Sequence, residues 1–143
     1  MIHKTLIRMS NADLDKKIKS LVHSNCYEKG YVCAVDVLIQ LAYLSMKDYE
    51  DWRFGRVEYL ERVCNIGLSK LSLIQKLIRK YSTDLDLKNS WTAYNQFGKG
   101  RKCRLQFSKS GHSTIEERYA THYIDVKRMS ELKEKVSSLD QEV

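Results

Sequence analysis

Two stretches hold the residue types from which chemistry is built. The first, G-H-S-T-I-E-E-R-Y-A-T-H-Y, gathers His112, Glu116, Glu117, Tyr119 and His122. If it were helical, His112 and Glu116 would share a face and offer a divalent metal two ligands, the beginning of a metal-dependent hydrolase. The spacing matches no H-E-x-x-H pattern and no further carboxylates can be assigned to it, so neither a metal nor a cofactor is expected.

The second stretch, F-G-K-G-R-K-C-R-L-Q-F-S-K-S-G from Phe97 to Gly111, carries five cations, three glycines and no acid. Cys103 lies between Lys102 and Arg104, where a thiol pKa would be depressed, but no histidine or acid can be assigned to activate it. The G-K-G-R turn is too short for a G-x-x-x-x-G-K-S/T phosphate loop or a G-x-G-x-x-G fingerprint. With no reaction supported, the chain is expected to bind rather than to catalyse.

Charge says what it would bind. Across 143 residues the net charge is +7, yet residues 66–111 alone hold ten Lys/Arg against two Asp/Glu. The flanking segments are close to neutral or slightly acidic, so the whole excess sits in the middle third. A concentrated field of this kind attracts polyanions, whereas a general solubility charge would be spread along the chain.

The length suits one domain with its own core. Uncharged runs such as Val37–Met46 are far too short to span a bilayer, and the start of the chain has no signal-peptide pattern, so a cytoplasmic protein with no membrane association is expected. Cys26, Cys33, Cys64 and Cys103 contain no C-x-x-C pair, which reads as reduced thiols, mostly packed.

The elements that must position these residues are mostly helices. Ser10 reads as an N-cap, with Leu14, Ile18, Leu21 and Val22 at helical spacing to about Ser24 and Gly30 as the following turn. A-V-D-V-L-I-Q-L-A-Y-L reads as a buried helix. Ser45 opens a short helix over Met46–Phe54, whose Tyr49, Trp52, Arg53 and Arg56 would suit a patch for a protein partner. Further helices are expected over Val57–Cys64 and Leu68–Tyr81. The aromatic runs N-S-W-T-A-Y-N-Q-F and K-C-R-L-Q-F-S flank G-K-G-R and predict a β-hairpin over 88–108. I-E-E-R-Y-A-T-H-Y-I reads as a short helix or a strand. Residues 1–127 thus form one domain, helical over 10–81, and 128–143 a charged C-terminal helix or tail. Its Met129, Leu132, Val136 and Leu139 would dock, fray or pair in a homodimer.

V-C-N-I-G-L-S-K-L-S-L-I, at the centre of residues 57–81, resembles a helix-turn-helix motif. Val63, Gly67, Leu68 and Ser69 take the places of close contact, left-handed turn residue, aliphatic wedge and cap in order. The resemblance implies an exposed recognition face of Ser69, Ser72, Lys76, Arg79 and Lys80. A basic helix followed by a cationic hairpin is the order of a winged helix. Lys99, Arg101, Lys102 and Arg104 would then be wing contacts to phosphate, with Lys109 and the donors of S-K-S-G serving another phosphate. The chain as a whole, through K-D-Y-E-D-W-R-F-G-R-V, S-W-T-A-Y with G-K-G, and F-S-K-S-G with Y-A-T-H-Y, also resembles an uncharacterised family of small bacterial proteins, which implies no activity.

The resulting expectation is an α+β, mainly α fold, a helix-turn-helix bundle with a β-hairpin, winged-helix-like. Its partner is expected to be nucleic acid, duplex DNA or structured RNA. The alternatives are a protein-interaction module and, behind it, a metal-dependent hydrolase.

Overall fold

The computed structural model describes residues 9–100 and 102–141. It is mainly helical, with a small antiparallel sheet. Helix α1 (Asn11–Lys29) starts where Ser10 Oγ accepts the Asp13 amide at 3.1 Å. It runs past Ser24 because Cys26 continues the buried stripe of Leu14, Ile18 and Val22. It stops at Gly30, whose φ of +83° lets its amide fold back to the Cys26 carbonyl. Strand β1 (Tyr31–Cys33) leads into α2 (Ala34–Gln40), which buries Ala34, Val35, Val37 and Leu38 as its apolar run requires. Helix α3 (Met46–Arg53) is capped by Ser45, which accepts from the Asp48 amide at 3.0 Å.

Next come a single 3-10 turn (Leu60–Val63), α4 (Leu68–Asp84), β2 (Lys88–Trp91), α5 (Ser113–Ala120), β3 (Thr121–Ile124) and α6 (Val126–Gln141). The segment I-E-E-R-Y-A-T-H-Y-I is therefore helix and strand in succession. The sheet order is β1-β3-β2, with Val32 opposite Tyr123 and Asn89 opposite Tyr123 on the other side. Its central strand comes last in the chain.

Three expectations are corrected. No α-helix covers Val57–Cys64: the Leu60 and Glu61 amides donate to the Gln106 and Phe107 carbonyls at 3.2 and 2.9 Å, which removes them from any helical ladder. Without that first helix there is no tight helix-turn-helix, and Gly67 has φ −74°, an ordinary extended N-cap rather than a left-handed turn residue. Ser69 accordingly lies inside the first turn of α4 and is not its cap. The hairpin over 88–108 is also redrawn. Lys88–Trp91 pairs with β3, and only a narrow ladder survives around the tip, where Asn95 bridges Arg104. Its bonds run from Gln96 N to Cys103 O at 2.8 Å and from Leu105 N to Tyr94 O at 2.9 Å.

The core joins α1, α2 and α4 to an aromatic group of Trp52, Tyr94, Phe107 and Tyr119. Trp52 is fully buried and donates its indole N–H to the Gln106 carbonyl at 2.8 Å. It anchors the fold and cannot be part of an exposed partner patch. Helix α6 is docked at its start: Arg128 Nε donates to the Tyr27 carbonyl at 2.7 Å, and Met129 lies against Gly30. Farther along, Val136 and Leu139 are exposed. No helix among the described residues is long and apolar enough to cross a membrane.

Candidate nucleic-acid interface

Four of the five residues expected on the outer face of α4 are exposed. Leu71, Ile74, Leu77 and Ile78 are buried against the core, so the helical period turns Ser69, Ser72, Lys76 and Lys80 outward. Arg79 differs: it is half-buried, close enough to Tyr123 that its charge acts on that phenol. Lys80 lies 5.1 Å from the Tyr81 ring centroid.

The hairpin tip rests on the end of α3, an association the sequence did not suggest. The Phe97 amide donates to the Arg53 carbonyl at 2.7 Å, and the Phe97 and Phe54 rings meet edge-on with centroids 5.6 Å apart. The Arg53 guanidinium lies 3.9 Å from the Phe97 centroid and 5.1 Å from that of Tyr94. Its Nε is buried with no hydrogen-bond acceptor, and the aromatic faces contribute cation–π stabilisation to its charge. Arg56 stands 5.2 Å from Phe54 while pairing with Asp51. The Arg53 and Arg56 assigned to a protein-partner patch thus lie beside the hairpin tip that carries the exposed Lys99 and Lys102.

Positive φ at Gly98 and Gly100, +105° and +104°, makes the turn, and Lys99 and Lys102 are exposed on it. Arg101 lies outside the described residues. At the base of the ladder Tyr94 is buried and Leu105 half-buried, so alternation turns Asn95 and Arg104 to the opposite, outer face. There the Arg104 guanidinium lies 4.7 Å from the Trp91 ring centroid.

The S-K-S-G loop is not a phosphate cradle, because its donors are already used. The Glu116 carboxylate accepts from the Phe107 amide at 2.8 Å, the Ser108 amide at 2.7 Å and the Ser108 hydroxyl at 2.6 Å. Lys109 N donates to Glu61, and Gly111 N to Ser108 Oγ. A carboxylate of the chain itself occupies the place an anion would take. Lys109 keeps only its exposed side chain for a partner.

The same bonds separate the residues of the hydrolase alternative. Glu116 is committed to the loop, and His112 caps α5 by accepting the Thr114 amide on Nδ1 at 3.3 Å. His122 lies beyond the far end of that eight-residue helix, roughly 12 Å along its axis. Among the described residues no group of three His, Cys, Asp or Glu could hold a metal ion. His122 instead joins a network that spacing did not disclose: its Nε2 is 2.7 Å from the Tyr94 hydroxyl, and its ring stacks on Tyr31 at 5.1 Å. The Tyr94 hydroxyl also reaches Cys33 Sγ at 3.8 Å. Burial holds the imidazole pKa below its ordinary value and pushes the Cys33 thiol up to about 12, which favours the protonated thiol at neutral pH.

Two clefts flank α5. One, of about 570 Å³, brings Ser72 of α4 together with Lys109, Ile115 and Arg118. The other, of about 700 Å³, is lined by Asn89, Trp91, Arg104, Ser113 and Glu117. Ser72 and Lys109 are therefore neighbours, whereas Arg104 faces the far side of α5. No protein-family model matches the chain, and no curated protein or solved structure is significantly similar to it.

Proposed function

We propose that this chain is a non-enzymatic nucleic-acid-binding protein of winged-helix type that engages duplex DNA or structured RNA through α4 and the cationic hairpin tip. One observation carries the reading. Every ion pair among the described residues lies outside 66–111, so the described cations of the segment where cations are densest stand in no ion pair. Lys76, Lys80, Lys99, Lys102, Arg104 and Lys109 are exposed there. Holding such charges without acids favours a polyanion, whose condensed counterions are released on contact.

The winged-helix form is supported by chain order and strand order together. β1 follows the first helix, β2 follows the basic helix, and the last strand pairs between them. In this reading the wing is opened by residues 92–120, which carry the hairpin tip and α5. Ser69, Ser72, Lys76 and Lys80 approach the groove and its backbone, with Arg79 at the margin, while the hairpin cations meet phosphate beyond α5.

The test is a titration of labelled duplex at two salt concentrations. Neutralising four phosphates gives a log–log salt slope of about −3.6, and the double substitution Lys99→Glu, Lys102→Glu should flatten that slope and weaken binding at least tenfold with circular dichroism unchanged. Absence of binding to any nucleic acid at low ionic strength would sink the proposal.

A further inference from the structure

Solvent-reaching aromatic rings beside cations are the elements that stack unpaired bases, and this chain exposes three of them around the hairpin and the end of α3. Trp91, Phe97 and Phe54 are 52%, 41% and 42% exposed, and each has a guanidinium over it: Arg104, Arg53 and Arg56 respectively. Trp91 is the last residue of β2, so its backbone is fixed by pairing with Thr121 while the indole projects from the sheet. It also forms a wall of the roughly 700 Å³ cleft beside α5. That volume falls within the roughly 300–1,000 Å³ of small-molecule sites.

The other groups in this cleft are chemically apt. Asn89 supplies an amide, Thr92 and Ser113 supply hydroxyls, and the carboxylate of Glu117 is free to accept. A flat ring laid on the indole would find donors and acceptors at its edge, and the Arg104 guanidinium would meet the phosphate attached to it. From Arg104, which bridges Asn95, the ladder runs two residues, about 7 Å, to Phe97, roughly two stacked nucleotide steps of 3.4 Å. A strand leaving the cleft would thus pass the second stacking station, Phe97 with Arg53, and the cations Lys99 and Lys102.

We infer that the cleft beside Trp91 is a site for an unpaired nucleobase in single-stranded nucleic acid, stacked on the indole and followed by a strand that tracks the hairpin to Phe97. This rests on the nucleic-acid reading and specifies a ligand that duplex contacts through α4 do not require. An acidic polypeptide would meet the same cations but gain nothing from the indole face.

The experiment uses the full chain, a fluorescein-labelled single-stranded 20-mer of mixed sequence, the same sequence as duplex, and polyglutamate as competitor. Binding of the single strand should quench the fluorescence of Trp91 and not that of buried Trp52, so the quench should vanish in Trp91→Phe. Trp91→Ala should weaken single-strand binding about tenfold, as loss of one stacked base does, and change duplex affinity less than twofold. Trp91→Phe keeps a stacking face and should stay within about threefold on the single strand, which separates stacking from any damage to β2. Duplex binding with no single-strand binding would overturn the base site and leave the nucleic-acid reading standing. Failure of both probes would remove that reading and the base site with it. Equal losses on both probes in Trp91→Ala, or polyglutamate competing as well as the unlabelled strand, would also overturn the base site, because the surface would then read only charge.

Discussion

Replacing Glu116 by alanine leaves three donors without their acceptor: the amides of Phe107 and Ser108 and the Ser108 hydroxyl. Phe107 and Ser108 are 3% and 1% exposed, so water cannot readily take the carboxylate's place. Each buried donor left unsatisfied costs about 1 to 3 kcal/mol, and allowing for partial relaxation of the loop gives about 3 to 4 kcal/mol in all. That is a large part of the roughly 5–15 kcal/mol that holds a domain folded. At about 4 °C per kcal/mol for a chain of this size, the thermal midpoint should fall by about 12 to 16 °C. The assay is thermal and urea unfolding followed by far-ultraviolet circular dichroism. Glu116→Gln keeps one carbonyl acceptor and should lose about half as much. Glu117→Ala, on the exposed face of the same helix, should change stability by less than about 0.5 kcal/mol. A loss below about 1 kcal/mol in Glu116→Ala would refute the reasoning, since it would mean that the loop is not held by this carboxylate and its amides are free for an outside anion.

Three further outcomes follow from other parts of the fold. Gly30→Ala places a Cβ at φ +83° and 3.0 Å from the Met129 Cα, and should destabilise by about 2 kcal/mol and speed proteolysis at the start of α6. Maleimide at neutral pH should label Cys103 alone in the native protein. Burial pushes the thiols of Cys26 to about 11 and of Cys33 and Cys64 to about 12, so labelling of all four should appear only after unfolding. Burial depresses the folded pKa of His122 below its ordinary 6.5, so the unfolded chain binds the proton better; stability from this group is full above that value and declines as pH falls below it. His122→Gln should flatten the acid side of a plot of urea midpoint against pH, and an unchanged slope would mean that another group carries it.

What was legible in the sequence was local. Ser10 and Ser45 announce helix starts because a cap is a contact between a side chain and an amide three residues on. The outward face of α4 could be read from the 3.6-residue period alone. Partners distant in the chain could not. Trp91 looks like a hairpin residue until Thr121 competes for its backbone, and Leu60 looks helical until the Gln106 carbonyl takes its amide. Glu116 was legible as a chemical group but not as the anion that fills the S-K-S-G loop. The union of Arg53 with Phe97 depends on the hairpin folding back onto α3, and no periodicity encodes that.

The strand order has a consequence for how the chain comes to its final form. Helices α1, α2 and α4 can collapse on one another as soon as residues up to Asp84 exist, but β1 and β2 must wait for Thr121–Ile124 to insert between them. Until then each presents a row of unpaired amides and carbonyls, a template for strands of other copies. One short segment, synthesised late, closes both edges at once. Residues 92–120 thus act as a tether whose length sets how long that exposure lasts, and shortening it without disturbing α5 should speed folding and reduce aggregation during refolding at high concentration.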